Sequence, residues 1–388
     1  MSSCGRCEAW RRTLPYPARP SARLGMRLER ATTHATRAPG FAARTAAAAL
    51  AVALSAAACG SADPNRGGVA LLPAPSASGQ VWKWTARCPV GPAARAECQR
   101  ASPILGFAQV NGDAWNLGGK PNAGALGISV TSRGAVAIDG RFASTPPCTE
   151  PTCIAPSANT WVRGYPDISY GISQCHAGAS PPESPRLPLP MRVDSIPPRL
   201  IGVTSYSADA GDITYDIAYD LWLHQTGTKR PCMSDGSLEI MVWTDYDERA
   251  LLPTSLQVGT ASIPFAVDRV SRSGTHAWSV YASNIYRGGR TAPWGGTLWF
   301  VPDRASLVGH GQVSVDLSAV LSAAGLLLHR NYGWPDLGTH YWLDTAPFGL
   351  EFGPAGGDPV DSGPSRFSVR ISAYCLDVRS TLPDATCP

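Results

Sequence analysis

Two glutamates, Glu239 and Glu351, stand in short alternating segments where a carboxyl group could serve as an acid, a base or a nucleophile. In the segment LEIMVW, residues 238 to 243, alternation predicts a strand that places Glu239, Met241 and Trp243 on the face opposite its apolar residues. A carboxylate beside an indole is costly to bury unless it has a partner or a task. Two interpretations stay open, a solvent-facing glutamate and a working carboxylate beside a ring that can stack on a sugar.

Two other segments repeat this arrangement of acids opposite apolar residues. In YDIAYDLWL, residues 215 to 223, the acids Asp216 and Asp220 share one face with Trp222. In FGLEF, Glu351 shares its face with glycines only, and these small neighbours predict room for a substrate beside its carboxyl group. All three segments therefore predict strands with one apolar face and one face that carries acids.

Three such strands predict two stacked sheets, with the acids on one concave polar and aromatic surface. Two carboxyl groups across a groove of this kind form the arrangement that cleaves glycosidic bonds. One group protonates the leaving oxygen while the other attacks the sugar or activates water. The residue pattern thus favours carbohydrate hydrolysis and does not assign the two roles between the glutamates.

The same segments resemble a known family when they are taken together with two others. Five segments resemble, in the same order, the signature sequences of glycoside hydrolase family 12, the β-jelly-roll endoglucanases and xyloglucanases: VNGDAWN (110–116), VRGYPDISYG (162–171), YDLWL (219–223), LEIMVW (238–243) and FGLEFGPAGG (348–357). The resemblance covers about residues 105 to 375. It implies an all-β jelly-roll sandwich of two stacked antiparallel sheets with a concave substrate cleft.

The resemblance also implies a reaction, retaining endo-hydrolysis of a β-1,4-glucan backbone such as cellulose, mixed-linkage glucan or xyloglucan. Glu239 would be the nucleophile, Glu351 the general acid and then the base, and Asp220 would assist the nucleophile. The two carboxyl groups of a retaining enzyme lie about 5 to 5.5 Å apart. No cofactor and no metal are expected.

Further residues would contact the sugar if the resemblance holds. They are Trp115 as a stacking platform, Asp113, Met241 lining the catalytic subsite, Trp243, Trp222 and Tyr165. Three positions depart from the family pattern, since Gly112 and Asp113 stand where it has two asparagines and Gly164 where it has serine. The cysteine-rich insert at about 143 to 158 has no counterpart. These departures affect the expected sugar specificity more than the expected reaction.

Two other classes of function remain as alternatives. The first is a catalytically silent jelly roll that binds glycans through the same cleft, and the presence of both glutamates argues against it. The second is a Ser-His-Asp hydrolase, for which histidines are available, although no Gly-x-Ser-x-Gly elbow occurs between a strand and a helix. His224 follows a strand and is predicted to lie at the rim. No glycine-rich phosphate loop follows a strand.

The chain is organised as an export segment, a tether and one domain. Residues 1 to 58 end in an apolar run too short to span a bilayer, which predicts a signal sequence whose true start is Met1 or Met26. Cys59 predicts either a lipid anchor or simple cleavage nearby, and residues 59 to 80 are a Pro, Ala and Ser-rich tether. Residues 81 to 388 are predicted to form a single domain with one helix at about 315 to 328, secreted and monomeric.

Charge and cysteine content agree with an exported protein that binds no nucleic acid. The first 58 residues hold nine arginines and two glutamates, so removing them from 33 basic and 29 acidic residues leaves 24 and 27. This weakly acidic balance gives no electrostatic reason to bind nucleic acid. Eight cysteines follow Cys59 and predict disulfides, with Cys88–Cys98 and Cys148–Cys153 as candidate local pairs and the remaining pairings open.

Overall fold

The structure describes part of the chain. The computed structural model describes residues 69–70, 82–88, 101–105, 108–112, 124–130, 135–143, 161–172, 187–226, 234–268, 270–271, 277–293, 295–303, 310–355, 364–378, 380–382, 384–385 and 387. All of them fall within one compact unit, Gly60–Pro388. The predicted export segment, Cys59, Trp115 and Asp113 lie outside the described residues.

The described residues are mostly β-strands. The strands are β1 (Val69–Ala70), β2 (Trp82–Cys88), β3 (Ala101–Leu105), β4 (Ala108–Asn111), β5 (Gly124–Val130), β6 (Val136–Phe142), β7 (Asp167–Ser169), β8 (Met191–Arg192), β9 (Ile201–Asp209), β10 (Ile213–His224), β11 (Leu238–Tyr246), β12 (Gln257–Ala261), β13 (Phe265–Val267), β14 (Val270–Ser271), β15 (Trp278–Ser283), β16 (Ile285–Tyr286), β17 (Arg290–Thr291), β18 (Gly296–Val301), β19 (His310–Asp316), β20 (Trp342–Thr345), β21 (Phe348–Ala355) and β22 (Ser365–Asp377). The α-helices are α1 (Leu317–Tyr332) and α2 (Leu337–His340), and the 3-10 turns are Val193–Ser195, Glu248–Ala250 and Thr254–Leu256.

Nearly all of these strands belong to two large sheets. Sheet A has the order β14-β13-β19-β9-β22-β6-β5-β2, with β1 also pairing with β22. Sheet B has the order β12-β15-β18-β11-β10-β21-β7-β4-β3, and β20 pairs with both β10 and β8. Strands β16 and β17 form a separate two-stranded ribbon. The strand β10 therefore lies near the middle of sheet B, with β11 on one side and β21 on the other.

The main hydrophobic core lies between the two sheets. Rings from opposite sheets pack against one another, as in the stacked pair Phe142 and Phe352, whose centroids are 5.2 Å apart. A second pair joins Tyr206 of sheet A to Phe348 of sheet B at 5.4 Å. Alternation supplies such residues because one side chain in two points toward the core. The fold class predicted from the sequence, an all-β sandwich of the jelly-roll type, is confirmed.

Two details of the predicted architecture differ in the structure. The sheets are not wholly antiparallel, because β11 and β18 pair in parallel, with Glu239 opposite Thr297 and Val242 opposite Phe300. Parallel neighbours need a long connection, and here the connection carries strands β12 to β17. A short second helix, α2, follows the single predicted one. Among the described residues, no helix is both long enough and apolar enough to cross a bilayer.

The predicted helix is present but begins and ends later than expected, at Leu317 and Tyr332. Asp316 caps its N-terminus, because its side chain accepts a hydrogen bond of 2.9 Å from the Ala319 backbone N–H. At the C-terminus, Gly333 adopts a left-handed conformation with φ of 62° and donates to the His329 carbonyl. Apolar spacing does not predict this last turn, because residues 329 to 332 are His, Arg, Asn and Tyr.

One disulfide joins Cys375 in β22 to Cys387. It confirms that disulfides are present, in a pairing that the sequence left open. Cys98, Cys148 and Cys153 lie outside the described residues, so the two candidate local pairs stay predictions.

Two glycines of helix α1 should respond in opposite directions to alanine. A Cβ atom at Gly325 would meet nothing closer than 3.7 Å, so Gly325→Ala should stabilise the protein by about 0.5–1 kcal/mol through helix propensity. Gly333 has a φ of +62°, so Gly333→Ala should destabilise it by about 1 kcal/mol even though the space is open. Denaturant unfolding of both variants measures the two changes. Equal effects of the same sign would contradict the helix end described here.

Candidate active site

Four carboxyl groups come from three adjacent strands of sheet B and share one face. Asp216 and Asp220 lie on β10, Glu239 on β11 and Glu351 on β21. Their neighbours in sequence, among them Tyr219 on β10, belong to the core between the sheets. The carboxyl groups therefore occupy the opposite face, as alternation predicted. That face carries a second apolar cluster, which includes Ala218, Met241, Trp243, Tyr281 and Trp299.

Glu239 is partly exposed and is held by a neighbouring hydroxyl group. Thr297 stands opposite Glu239 in the parallel pair, and its Oγ1 donates a hydrogen bond of 2.7 Å to Oε2 of Glu239. Burial raises the pKa of Glu239 to about 7, although the bonds from Thr297 and Asp220 act in the lowering direction. Near neutral pH this carboxyl group therefore exchanges readily between its charged and neutral forms.

Asp220 lies between the two glutamates and contacts the first of them. It is 4% exposed, and Oδ2 accepts a 2.8 Å hydrogen bond from Nε1 of Trp222. Its pKa is raised well above the ordinary value, first by burial and then by the charges of Glu239 and Glu351. The contact between Asp220 and Glu239 raises the pKa of Asp220 and lowers that of Glu239. Once the pair has lost one of its two protons, the remaining proton thus resides on Asp220 and the negative charge on Glu239.

Glu351 is 6% exposed and stands directly opposite Asp216 in the antiparallel pair of β10 and β21. The glycines on either side of it serve packing within the chain. A Cβ atom at Gly349 would lie 2.5 Å from the Pro166 carbonyl oxygen, and one at Gly353 would lie 2.5 Å from that of Trp161. The expectation that these glycines leave room for substrate is therefore wrong, because the chain's own segment fills that space.

The segment of residues 161 to 166 brings Tyr165 next to all of the acids on β10 and β21. Its hydroxyl group donates a 2.9 Å hydrogen bond to the carbonyl oxygen of Ala218. Its pKa is raised well above the ordinary value, first by burial and then by the charges of Asp220, Asp167, Asp216 and Glu351. Tyr165, a residue that the sequence placed in the site, is therefore at its centre.

The other predicted sugar contacts lie on the same face but are largely buried. Met241 is 2% exposed, and Trp222, which is 8% exposed, uses its indole N–H on Asp220. Trp243 is wholly buried and packs against Tyr246 at 5.3 Å. With no exposed ring face, Trp243 is better described as part of the floor of the site than as a stacking platform. The roles of Trp115 and Asp113, which lie outside the described residues, stay predictions.

Two residues of the site have contacts with the glutamates that the sequence did not reveal. The contact between Thr297 and Glu239 was not predicted, because it depends on a parallel strand pair that no local sequence pattern indicates. Asp216 was placed on the correct face but was given no role, since the partner opposite it is 135 residues away. Strand alternation predicts only which face of the sheet a side chain occupies, whereas its partner on the neighbouring strand depends on the pairing register.

His224 and Asp344 form a separate buried pair, which does not complete the Ser-His-Asp triad of a hydrolase. His224 is 6% exposed rather than at the rim as predicted, and its Nδ1 contacts Oδ2 of Asp344. Its other ring nitrogen, Nε2, is buried and has no hydrogen-bond partner in the described part of the chain. Among the residues that the structure describes, no serine hydroxyl group is therefore bonded to Nε2 to act as a nucleophile.

A groove of about 550 Å³ lies elsewhere, between α1 and the residues around Ile196. It is mostly apolar, with Leu321, Leu326 and Trp334 among its lining residues, and it contains none of the four carboxyl groups. Among the described residues, no cluster of three or more His, Cys, Asp or Glu side chains could hold a metal ion. The face of sheet B with the four acids is therefore the candidate active site.

Solved structures similar to this chain include family 12 glycoside hydrolases, the family that the sequence motifs resemble. A xyloglucanase from Bacillus licheniformis is 18% identical over 77% of this chain and 100% of its own, with a TM-score of 0.48. A metagenome-derived endoglucanase is 18% identical over 78% and 98%, with a TM-score of 0.47. An endoglucanase from Rhodothermus marinus is 17% identical over 76% and 99%, with a TM-score of 0.44. No protein-family model and no curated protein matches the chain.

The raised pKa of Glu239 should make stability depend on pH in an unusual direction. The folded protein binds this proton up to pH about 7, whereas the unfolded chain releases it near 4.5, so the free energy of unfolding should fall as pH rises through that window. Glu239→Gln cannot ionise and should be the more stable protein at pH 8, by on the order of 2 kcal/mol. Denaturant unfolding between pH 4.5 and 8 measures the difference.

A matched control for this prediction is Glu248→Gln, which neutralises an exposed glutamate of a 3-10 turn. This control should leave the pH dependence of unfolding as it is in the wild-type protein. A Glu239→Gln curve that runs parallel to the wild-type curve would show that Glu239 does not bind this proton in the folded protein.

Proposed function

We propose that this chain is a glycoside hydrolase of the family 12 type, with Glu239 and Glu351 as its two catalytic carboxyl groups. The observation that carries the proposal is the placement of these glutamates on the two strands that flank β10, on one face, with Asp220 between them. Hydrolysis of a glycosidic bond needs two carboxyl groups in opposite protonation states. The family motifs in the sequence fall on these same strands.

The contacts favour Glu239 as the nucleophile. Its hydrogen bonds from Thr297 and Asp220 stabilise the charged form, which is the form that attacks an anomeric carbon. Asp220 holds the neighbouring proton, and the indole N–H of Trp222 fixes its orientation. In the first step Glu239 bonds to the anomeric carbon while the glycosidic C–O bond breaks and Glu351 transfers its proton to the leaving oxygen.

In the second step water attacks the same carbon and the bond to Glu239 breaks. Glu351, now a carboxylate, takes a proton from that water and is restored as an acid. Two displacements at one carbon retain its configuration. A retaining, endo-acting reaction on a β-1,4-glucan is accordingly our proposal for the finer chemistry, supported by the family motifs of the sequence.

The proposal predicts that wild-type protein releases reducing ends from carboxymethylcellulose, mixed-linkage β-glucan or xyloglucan. Glu239→Gln and Glu351→Gln should each lower this activity by about 100-fold or more, because each removes a nucleophile or a proton donor. Glu248→Gln, which changes an exposed glutamate, should retain wild-type activity. Proton NMR of the first product should show the β-anomer if configuration is retained.

The results of this assay also discriminate the competing functions. Full activity in either glutamine variant would remove that glutamate from the mechanism, and an α-anomeric first product would replace retention by inversion. Binding to β-glucans with no hydrolysis by the wild-type protein would favour the alternative, a catalytically silent jelly roll that binds carbohydrate.

We also propose export to the cell exterior, with either lipid attachment at Cys59 or simple cleavage nearby. The support is the apolar run that ends at Ala58, the small residues before Cys59 and the tether that follows. Labelling with a radioactive fatty acid distinguishes the two outcomes. A lipid anchor predicts label in the wild-type protein and none in Cys59→Ala, whereas cleavage predicts no label in either.

A further inference from the structure

We propose that Asp216 is a positioning residue for the general acid, which accepts a hydrogen bond from protonated Glu351 and thereby keeps the catalytic proton on it. This inference rests on the proposed function, because it assigns a partner to a group whose role is part of that function. Asp216 does not reach the substrate in this scheme. It acts through Glu351.

The first support is the register of the two strands. Asp216 stands directly opposite Glu351, and the pairing is regular from Tyr215 to Tyr219 on β10. Directly opposed residues of an antiparallel pair have Cβ atoms about 4.5–5.5 Å apart, within the combined reach of an aspartate and a glutamate. No other residue of β21 on this face is ionisable, since its neighbours there are Gly349 and Gly353.

The second support is the burial of Asp216 without other partners. It is 0% exposed, and neither carboxylate oxygen has a hydrogen bond of standard geometry in the described part of the chain. A wholly buried carboxyl group without a partner is costly, so its presence requires an explanation. Burial raises the pKa of Asp216 well above its ordinary value, whereas the contact with Glu351 lowers it. Glu351 is therefore the donor of the contact and Asp216 the acceptor.

The third support is the similar arrangement of Asp220 and Glu239, the other aspartate–glutamate pair of the site. Asp216 and Asp220 are four residues apart on β10 and so point to the same face, one toward β21 and one toward β11. Each catalytic glutamate thus has its own aspartate, but the proton lies on opposite members of the two pairs. The contact with Glu239 raises the pKa of Asp220, whereas the contact with Glu351 lowers the pKa of Asp216, so Asp220 is the donor in its pair and Asp216 the acceptor in its own. This is the distribution that the first step of a double displacement requires.

The charges around Asp216 are almost all negative. The titratable groups that act on it or respond to it are Glu351 from β21, Asp220 from its own strand, Glu239 from β11 and Tyr165 from the 161–166 segment. Tyr246 of β11 stands opposite it in register. The buried cation of the 161–166 segment, Arg163, donates to the carbonyl oxygens of Trp161 and Val162 at 3.0 and 3.3 Å. A shared proton is therefore the means by which this group of acids can lower its repulsion.

The test is Asp216→Asn, which keeps the shape of the side chain and removes its charge. With β-glucan, whose leaving group needs a proton, kcat/KM should fall about 10- to 100-fold, less than the 10²–10⁴-fold effect of losing the acid itself. The basic limb of its pH profile should move to lower pH by about one unit, since a neutral neighbour no longer favours the protonated acid. With 2,4-dinitrophenyl β-cellobioside, whose leaving group needs no proton, the formation of the glycosyl-enzyme should change less than threefold.

Asp220→Asn provides the matched comparison, because it lies beside the nucleophile and should slow glycosyl-enzyme formation with both substrates. In a Glu351→Gln background, Asp216→Asn should cause no further loss on β-glucan, since the group it positions is already gone. Asp216→Ser offers a smaller neutral side chain if the asparagine variant does not fold. Thermal unfolding of each variant checks that the fold is kept.

The outcomes separate this inference from the proposed function. An Asp216 variant with equal losses on both substrates, or with an unmoved basic limb, would show a structural role and overturn the inference. Failure of both Asp216 variants to fold would do the same, because the residue would then be required for the fold. Wild-type protein inactive on both substrates would instead overturn the proposed function itself.

Discussion

Four carboxyl groups on one largely buried face of a sheet cannot all ionise, and this electrostatic constraint governs the rest of the site. Desolvation and mutual repulsion both favour the neutral forms, so the group must retain protons and distribute them. The distribution follows from local contacts, because a hydroxyl donor contacts Glu239 and an indole donor contacts Asp220, while Asp216 contacts Glu351 on the neighbouring strand. The neighbours of each carboxyl group thus support chemistry that needs one charged and one neutral glutamate.

The sandwich offsets the cost of burying these acids, because each strand has one apolar face toward the core and one face that carries the acids. One face of β10 contributes Ile217, Tyr219 and Leu221 to the core between the sheets, and the other face carries the aspartates. Burial of such residues stabilises a fold by about 25 cal/mol per Å² of apolar surface, which can offset the cost of the acids. Backbone atoms of the 161–166 segment pack against the glycines of β21, beside the same carboxyl groups.

Much of this arrangement could be predicted from the sequence, because alternation reports the face of a strand. The local pattern alone predicts that the segments at Glu239 and Glu351 are strands and that their acids lie on the face away from the core. What alternation does not report is register, so the pairing of Asp216 with Glu351 and the parallel contact of Thr297 could not be read from local patterns. The same limit explains why Trp243 was expected to be open to a sugar, since its burial depends on residues from distant strands.

The parallel pairing of β11 and β18 has a consequence for how the chain assembles. Thr297 lies 58 residues after Glu239, and six other strands intervene before the two can meet. Glu351 joins Asp216 across a still longer loop of chain. Contacts this distant in sequence carry a large loop-closure cost and form slowly. The face that carries the four acids is therefore complete only when strands from the final third of the chain have paired with β10 and β11.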